Sequence, residues 1–253
     1  MSPEIANAAM TCLADGAHSL VAMYTNTALT LNVCDVAAKS YASRTDNLFL
    51  STTAQIPEEF RLPVELDVTF SRHELSKRYS AEVAQRICED FLIRLISLLD
   101  GIFEDLLAVV TALNEPAISE IEVARRVRAA WIQEPNGHVK LVNYLLSMGL
   151  KPPSGKKSTV EMVFDRYYEM REVRHALIHN AGNLSNKHLK RLKELSERLP
   201  VELRDGSLAS AEFLAKGRVV LNLQEILSFR FWAYSTVLGY LRAAFKGSIV
   251  CEQ

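Results

Sequence analysis

The sequence predicts a mainly α fold, and three observations carry that expectation. Apolar residues recur with helical spacing through most of the 253 residues. The helical runs are separated by Pro, Gly and Asn punctuation, and only two short segments alternate in the manner of a strand. An apolar content of 49% is ample for a core at a length that suits one large domain or two small ones.

The elements follow in order. Pro3 to Lys39 reads as helix, and a Ser/Thr/Asn-rich connection covers about Ser40 to Ala54. Val64, Leu66, Val68 and Phe70 alternate with Glu65, Asp67 and Thr69; Val219, Leu221 and Leu223 alternate less cleanly. Each reads as a short strand, and the two are candidates to pair as one small ribbon whose register nothing in the sequence fixes. Ser80 to Leu113 reads as a long, mostly buried helix with one wet stripe, formed by Glu82, Arg86, Glu89, Arg94, Ser97, Gly101 and Asp105.

After Asn114-Glu115-Pro116, helical spacing resumes from Ala117 to Gln133 and stops at Glu134-Pro135-Asn136-Gly137. A shorter helix from His138 to Met148 ends on Gly149, and Lys151 to Ser158 is a lysine-bearing loop. Val160 to about Asn180 is helical, with Gly182 marking its end. Ser185 suits the N-cap of a basic helix that carries Lys187, Lys190, Arg191, Lys193 and Arg198 and stops at Pro200. The last long helix, Leu223 to Phe245, is rich in aromatic residues.

Charge and cysteine usage narrow the function classes. With 29 basic and 30 acidic residues the chain has no global field to draw it onto nucleic acid or membrane, so such affinity needs a local patch. Cys12, Cys34, Cys88 and Cys251 include no Cys-x-x-Cys pair, which argues against a zinc knuckle or a disulfide framework and fits a reducing cytoplasm. Glu4 and Asp15 interrupt the N-terminus, and Arg94, Asp100, Glu104 and Asp105 interrupt the most apolar window, so neither a signal peptide nor a membrane span is expected.

The densest chemistry lies in Arg171 to Gly182, which holds two arginines, two histidines and an asparagine. At about 100° per residue, Arg171, Arg174, His175, His179 and Gly182 share an arc of roughly 140°, while Met170, Val173, Leu177 and Ala181 take the opposing arc. A cationic front needs a partner, because burying an unpaired charge costs several kcal/mol. Salt bridges from Arg171, Arg174 and His175 to acidic residues on neighbouring helices, for instance from the wet stripe of Ser80 to Leu113, are one explanation. Metal ligation by Glu172, His175 and His179 is another, weakened by the adjacent arginines and by the absence of a second Glu-x-x-His. Phosphodiester chemistry is the third: RNA brings its own 2′-hydroxyl nucleophile, so a base of near-neutral pKa and a fixed cation suffice without metal or cofactor. Nearby arginines are expected to favour the neutral form of His179.

Arg174-His175-Ala176-Leu177-Ile178-His179-Asn180-Ala181-Gly182, an Arg-x4-His element near the end of a helix in a helical chain, resembles the HEPN superfamily in its Arg-His-x3-His-Asn-x-Gly form, found in bacterial defence and toxin–antitoxin proteins. The resemblance covers roughly Ser80 to Phe245. It implies a HEPN-like helical bundle over residues 76–253, preceded by an N-terminal helical extension at 1–75. It further implies that Arg174 and His179 are catalytic, that His175 assists, and that a homodimer brings both motifs to one RNA-cutting cleft without metal. Asn180 and Arg171 are supporting candidates, Asn180 with a plain alternative as a helix C-terminal residue.

RNA contact would need further cations, for which Lys156 and Lys157 on the loop and Lys187, Lys190 and Arg191 on the basic helix are candidates. The expected function is a metal-independent endoribonuclease in phage defence or a toxin–antitoxin system, with an antitoxin or regulatory protein as a further partner. The alternatives are a catalytically inactive HEPN module that binds nucleic acid, nucleotide or a protein, and a purely structural helical scaffold.

Overall fold

A computed structural model describes residues 1–46, 49–51, 56–62, 68–132, 137–198 and 217–250. The fold is mainly α. Helix α1 spans Pro3–Ser43, α2 Arg72–Lys77, α3 Ala84–Asn114, α4 Glu120–Ile132, α5 Gly137–Ser147, α6 Val160–His179 and α7 Asn186–Glu197; α8 (Leu223–Phe231) and α9 (Gly239–Val250) are joined by a π-helical stretch, Trp232–Leu238. Each helix expected from the sequence is present, with ends shifted by a few residues. The π stretch is the one irregularity within the last helix, where 3.6-residue spacing predicted a continuous α-helix.

The chain divides into two compact units, residues 25–88 and residues 1–24 with 89–253. In the first, β1 (Phe49–Ser51) pairs antiparallel with β2 (Thr69–Ser71), Leu50 opposite Phe70. The ribbon therefore exists, but its pairing differs from the expectation. The partner of Phe70 comes from the polar connection rather than from Val219 to Leu223, and Val64 to Asp67 lie outside the described residues. Ser71 ends β2 and caps α2, its hydroxyl accepting from Glu74 N while Glu74 reaches back to Ser71 N at 2.8 Å. Arg78 lies over the Phe70 ring at 4.3 Å, and Tyr41 stacks on Tyr79.

The second unit holds the core that positions the motif. Leu92, Leu95, Ile96, Leu99, Phe103 and Leu106 of α3 are fully buried, as are Phe164 and Tyr167 of α6. Ser97, Gly101 and Asp105 of the expected wet stripe are exposed, whereas Glu89 is buried. The start of α1 packs on α3 so closely that a Cβ on Gly16 would stand 2.5 Å from Ile102. Among the described residues no helix is long and apolar enough to cross a membrane.

Candidate functional site

The motif rides on α6. Thr159 caps it by accepting from Met162 N at 3.3 Å, and Val160, Val163, Phe164, Tyr167, Met170, Val173 and Ala176 are buried. Helix α7 follows, capped by Ser185 as the sequence indicates, and packs back along α6 in the opposite direction. His188 lies 5.4 Å from His175 by ring centroid, while Arg198 reaches Asp165 at 3.3 Å one helix-length away.

The exit from α6 departs from the expected geometry. Helical rotation placed Gly182 on the cationic front and Ala181 on the apolar back, but the helix ends at His179 with Asn180 as its C-cap. Ala181 and Gly182 then adopt left-handed backbone, φ 49° and 81°, and Gly182 N donates to Ala176 O at 2.9 Å. Ala181 is consequently exposed and Gly182 buried. Glycine suits the second position because a Cβ there would meet Val219 O at 3.3 Å. Val219 N donates to Gly182 O and Leu184 N to Gly217 O, both at 2.8 Å. The segment that alternation suggested as a strand instead clasps the end of the motif helix through an isolated bridge, Asn183 to Arg218.

Arg171, with about a third of its side chain still exposed, turns toward a polar cluster on α3 and α5. Asp100 of α3 accepts from the Tyr167 hydroxyl and from His138 Nε2 (2.8 Å), and Arg171 Nε stands 3.6 Å from the same oxygen. With Nε2–H donating to Asp100, His138 Nδ1 is left to accept from Arg171 Nη1 at 3.4 Å. Burial alone would raise Asp100, but hydrogen bonds from His138 and Tyr167 and the Arg171 charge outweigh it and hold the carboxyl below its ordinary range. Burial pushes His138 down, against the pull of Asp100, so it sits as neutral imidazole; burial and the nearby carboxylate push the Tyr167 phenol well up. Trp131 and Phe103 close the ring around His138.

Arg174, one turn on, has a different partner. Its Nη2 donates to Ser97 Oγ at 3.2 Å, its Nε has no hydrogen-bond partner among the described residues, and no described carboxylate lies within ion-pair distance. His175 and His179 are exposed with ring centroids 4.5 Å apart, and buried His188 completes a row of three imidazoles. Desolvation first, then the His179 and His188 charges, push His175 down from its ordinary value, so it remains a neutral donor–acceptor near pH 7. Asn180 presents an exposed side chain, while its carbonyl accepts from Asn183 N and Nδ2.

The cation candidates separate into two groups. Lys187 lies close enough to His175 to act on its charge, and Lys190 and Arg191 project from the same helix with Glu194 at 3.9 and 3.7 Å. Lys156 and Lys157 precede the other end of α6, a helix about 30 Å long, and so stand far from His179. Asp100, His138, Tyr167 and Ser97 were missed as functional neighbours of the motif. A carboxylate interrupting the apolar run around Leu99 was the available signal, since a charge on a buried face needs a partner. Among the described residues no group of three or more His, Cys, Asp or Glu is placed to hold a metal ion. No family model, curated protein or solved structure matches the chain.

Proposed function

We infer that this chain is a HEPN-type endoribonuclease acting as a homodimer without metal, in defence or a toxin–antitoxin setting. The observation that carries the reading is the placement of Arg174 and His179 at the open end of α6. Arg174 keeps its charge free of any described carboxylate, and His179 is exposed on the last helical residue. The rotation between them, roughly 140° on one helix, suits a cleft lined by two copies of the motif better than a site within one copy.

The chemistry follows from the residue types. His179 takes the proton of a ribose 2′-hydroxyl as that oxygen attacks phosphorus; the P–O5′ bond breaks, and the protonated imidazole of the second copy gives a proton to O5′, leaving that ring neutral. Arg174 neutralises the charge that builds on the non-bridging oxygens. Products carry a 2′,3′-cyclic phosphate and a 5′-hydroxyl. No cysteine or serine within Arg171 to Gly182 offers another nucleophile. Lys187 and Lys190 extend the positive surface along the strand, so binding weakens with salt.

Cleavage of looped or single-stranded RNA in EDTA tests this. His179→Ala and Arg174→Ala should each lower the rate by about 10² to 10⁴, and deoxyribose at the cut position should block it. Cleavage that survives both substitutions, or products with 5′-phosphate ends, overturns the mechanism. RNA binding with no cutting would favour the inactive binding module.

A further inference from the structure

Two arginines three residues apart on α6 meet two polar residues three residues apart on α3, forming two rungs between the helices. The inner rung joins Arg171 to Asp100, at 3.6 Å; the outer joins Arg174 to Ser97, at 3.2 Å. Their chemistry is opposite. Asp100 is a carboxylate kept ionised by His138 and Tyr167, so the Arg171 charge is cancelled where it stands. Ser97 is neutral, and its own proton is directed to Ile93 O at 2.9 Å, which leaves an oxygen lone pair for Arg174 Nη2.

We propose that Ser97 and Asp100 sort the two arginines: Asp100 pairs with Arg171 and cancels its charge, and Ser97 is the positioning residue that aims Arg174 while leaving its charge for a phosphate oxygen. The assignment of a phosphodiester substrate rests on the ribonuclease reading above; the sorting itself does not. A hydroxyl fixes the direction of a guanidinium without competing for its charge. A phosphate at Arg171, by contrast, would have to displace a carboxylate already held by three partners.

The surroundings of Ser97 give the anion a direction of approach. Ser97 also lines a groove of about 660 Å³ between α1 and α3, whose walls include Cys12, Asp15, Gly101 and Asp105. The carboxylates Asp15 and Asp105 on those walls disfavour the approach of a phosphate along the groove, whereas Lys187 lies near His175 on the α7 side.

Phenylglyoxal labelling of the full chain, mapped by mass spectrometry with and without inorganic phosphate, tests the sorting. Arg174 should be modified at least several-fold faster than Arg171, and phosphate should slow Arg174 alone. Asp100→Asn should bring Arg171 towards the Arg174 rate, and Ser97→Asp should slow Arg174 about tenfold, as a carboxylate claims it. Ser97→Thr, which keeps the hydroxyl, should behave as the native chain. Equal labelling of both arginines, no phosphate protection, or an Arg174 rate unmoved in Ser97→Asp overturns the proposal. Because Ser97 is exposed, that variant remains informative if Asp100→Asn fails to fold. In RNA cleavage Ser97→Asp should lower kcat more than it raises KM, because Arg174 acts on charge that builds in the transition state. If the native chain cuts no RNA, the ribonuclease reading fails while the labelling pattern still decides the sorting.

Discussion

The two ends of α6 differ in what they do with polar residues. The stretch from Thr159 to Arg171 is capped, buried on its apolar face and closed around Asp100, His138 and Tyr167, so that almost every charge has an internal partner. Within the next eight residues, His175 and His179 face outward, and the one hydrogen bond of Arg174 among the described residues is to a neutral hydroxyl. The difference separates stability from chemistry along one helix. Substitutions at the inner end should unfold the protein; those at the outer end should leave it folded and silent.

The strongest way to break that comparison is Asp100→Ala. Removing the shared acceptor leaves Arg171 without its counter-charge and the buried His138 Nε2–H and Tyr167 hydroxyl without their acceptor, a loss of about 3 kcal/mol or more. Urea denaturation checks it, with His179→Ala, expected within about 0.5 kcal/mol of the native chain, as the control. A loss below about 1 kcal/mol for Asp100→Ala would place the network on the surface in energetic terms and erase the contrast.

A pH series sharpens it. His138 is neutral in the fold with its pKa lowered from 6.5, so the unfolded chain binds a proton that the folded chain refuses. Stability should therefore be full above 6.5 and fall as pH drops below it, at up to about 1.4 kcal/mol per unit, levelling once the folded imidazole titrates. The lowered pKa of Asp100 adds a second loss in the same direction below 3.8. His138→Asn should remove most of the upper slope, leaving the smaller share of exposed His175, whose pKa is lowered in the same direction; a slope unchanged by the substitution would assign it elsewhere.

The smallest expected effect lies at the boundary between the ends. Gly182→Ala forces a Cβ into left-handed backbone near Val219 O, at a cost of about 1–2 kcal/mol. Because the turn carries Asn180 and the last residue of the motif, RNA cleavage should decline more than a surface substitution would explain. An unchanged melting curve would show that this turn does not need glycine.

Periodicity and punctuation made most helices legible, since both are local signals: Ser185 as a cap, Gly149 as a stop and Val160 as a start are each recoverable from a few neighbouring residues. The site was legible only in part. Arg174, His175 and His179 stand out by residue type, but the partner of Arg171 is a carboxylate more than sixty positions earlier, and no spacing rule connects Asp100 to His138 and Tyr167. The alternating segment at Val219 misled for a related reason. Alternation reports a half-buried extended chain, and here that chain pairs with an isolated turn rather than with a sheet.

The clasp between Gly182 and Val219 also sets an order of events during synthesis. The motif helix and its cap at Thr159 are made about forty residues before Val219 and can form from local contacts, but the turn that ends the helix cannot be fastened until the chain through Val219 has been made. A nascent chain on the ribosome therefore carries every residue of the motif without its finished end. On the ribonuclease reading proposed above, this delay postpones competence until Val219 has left the ribosome.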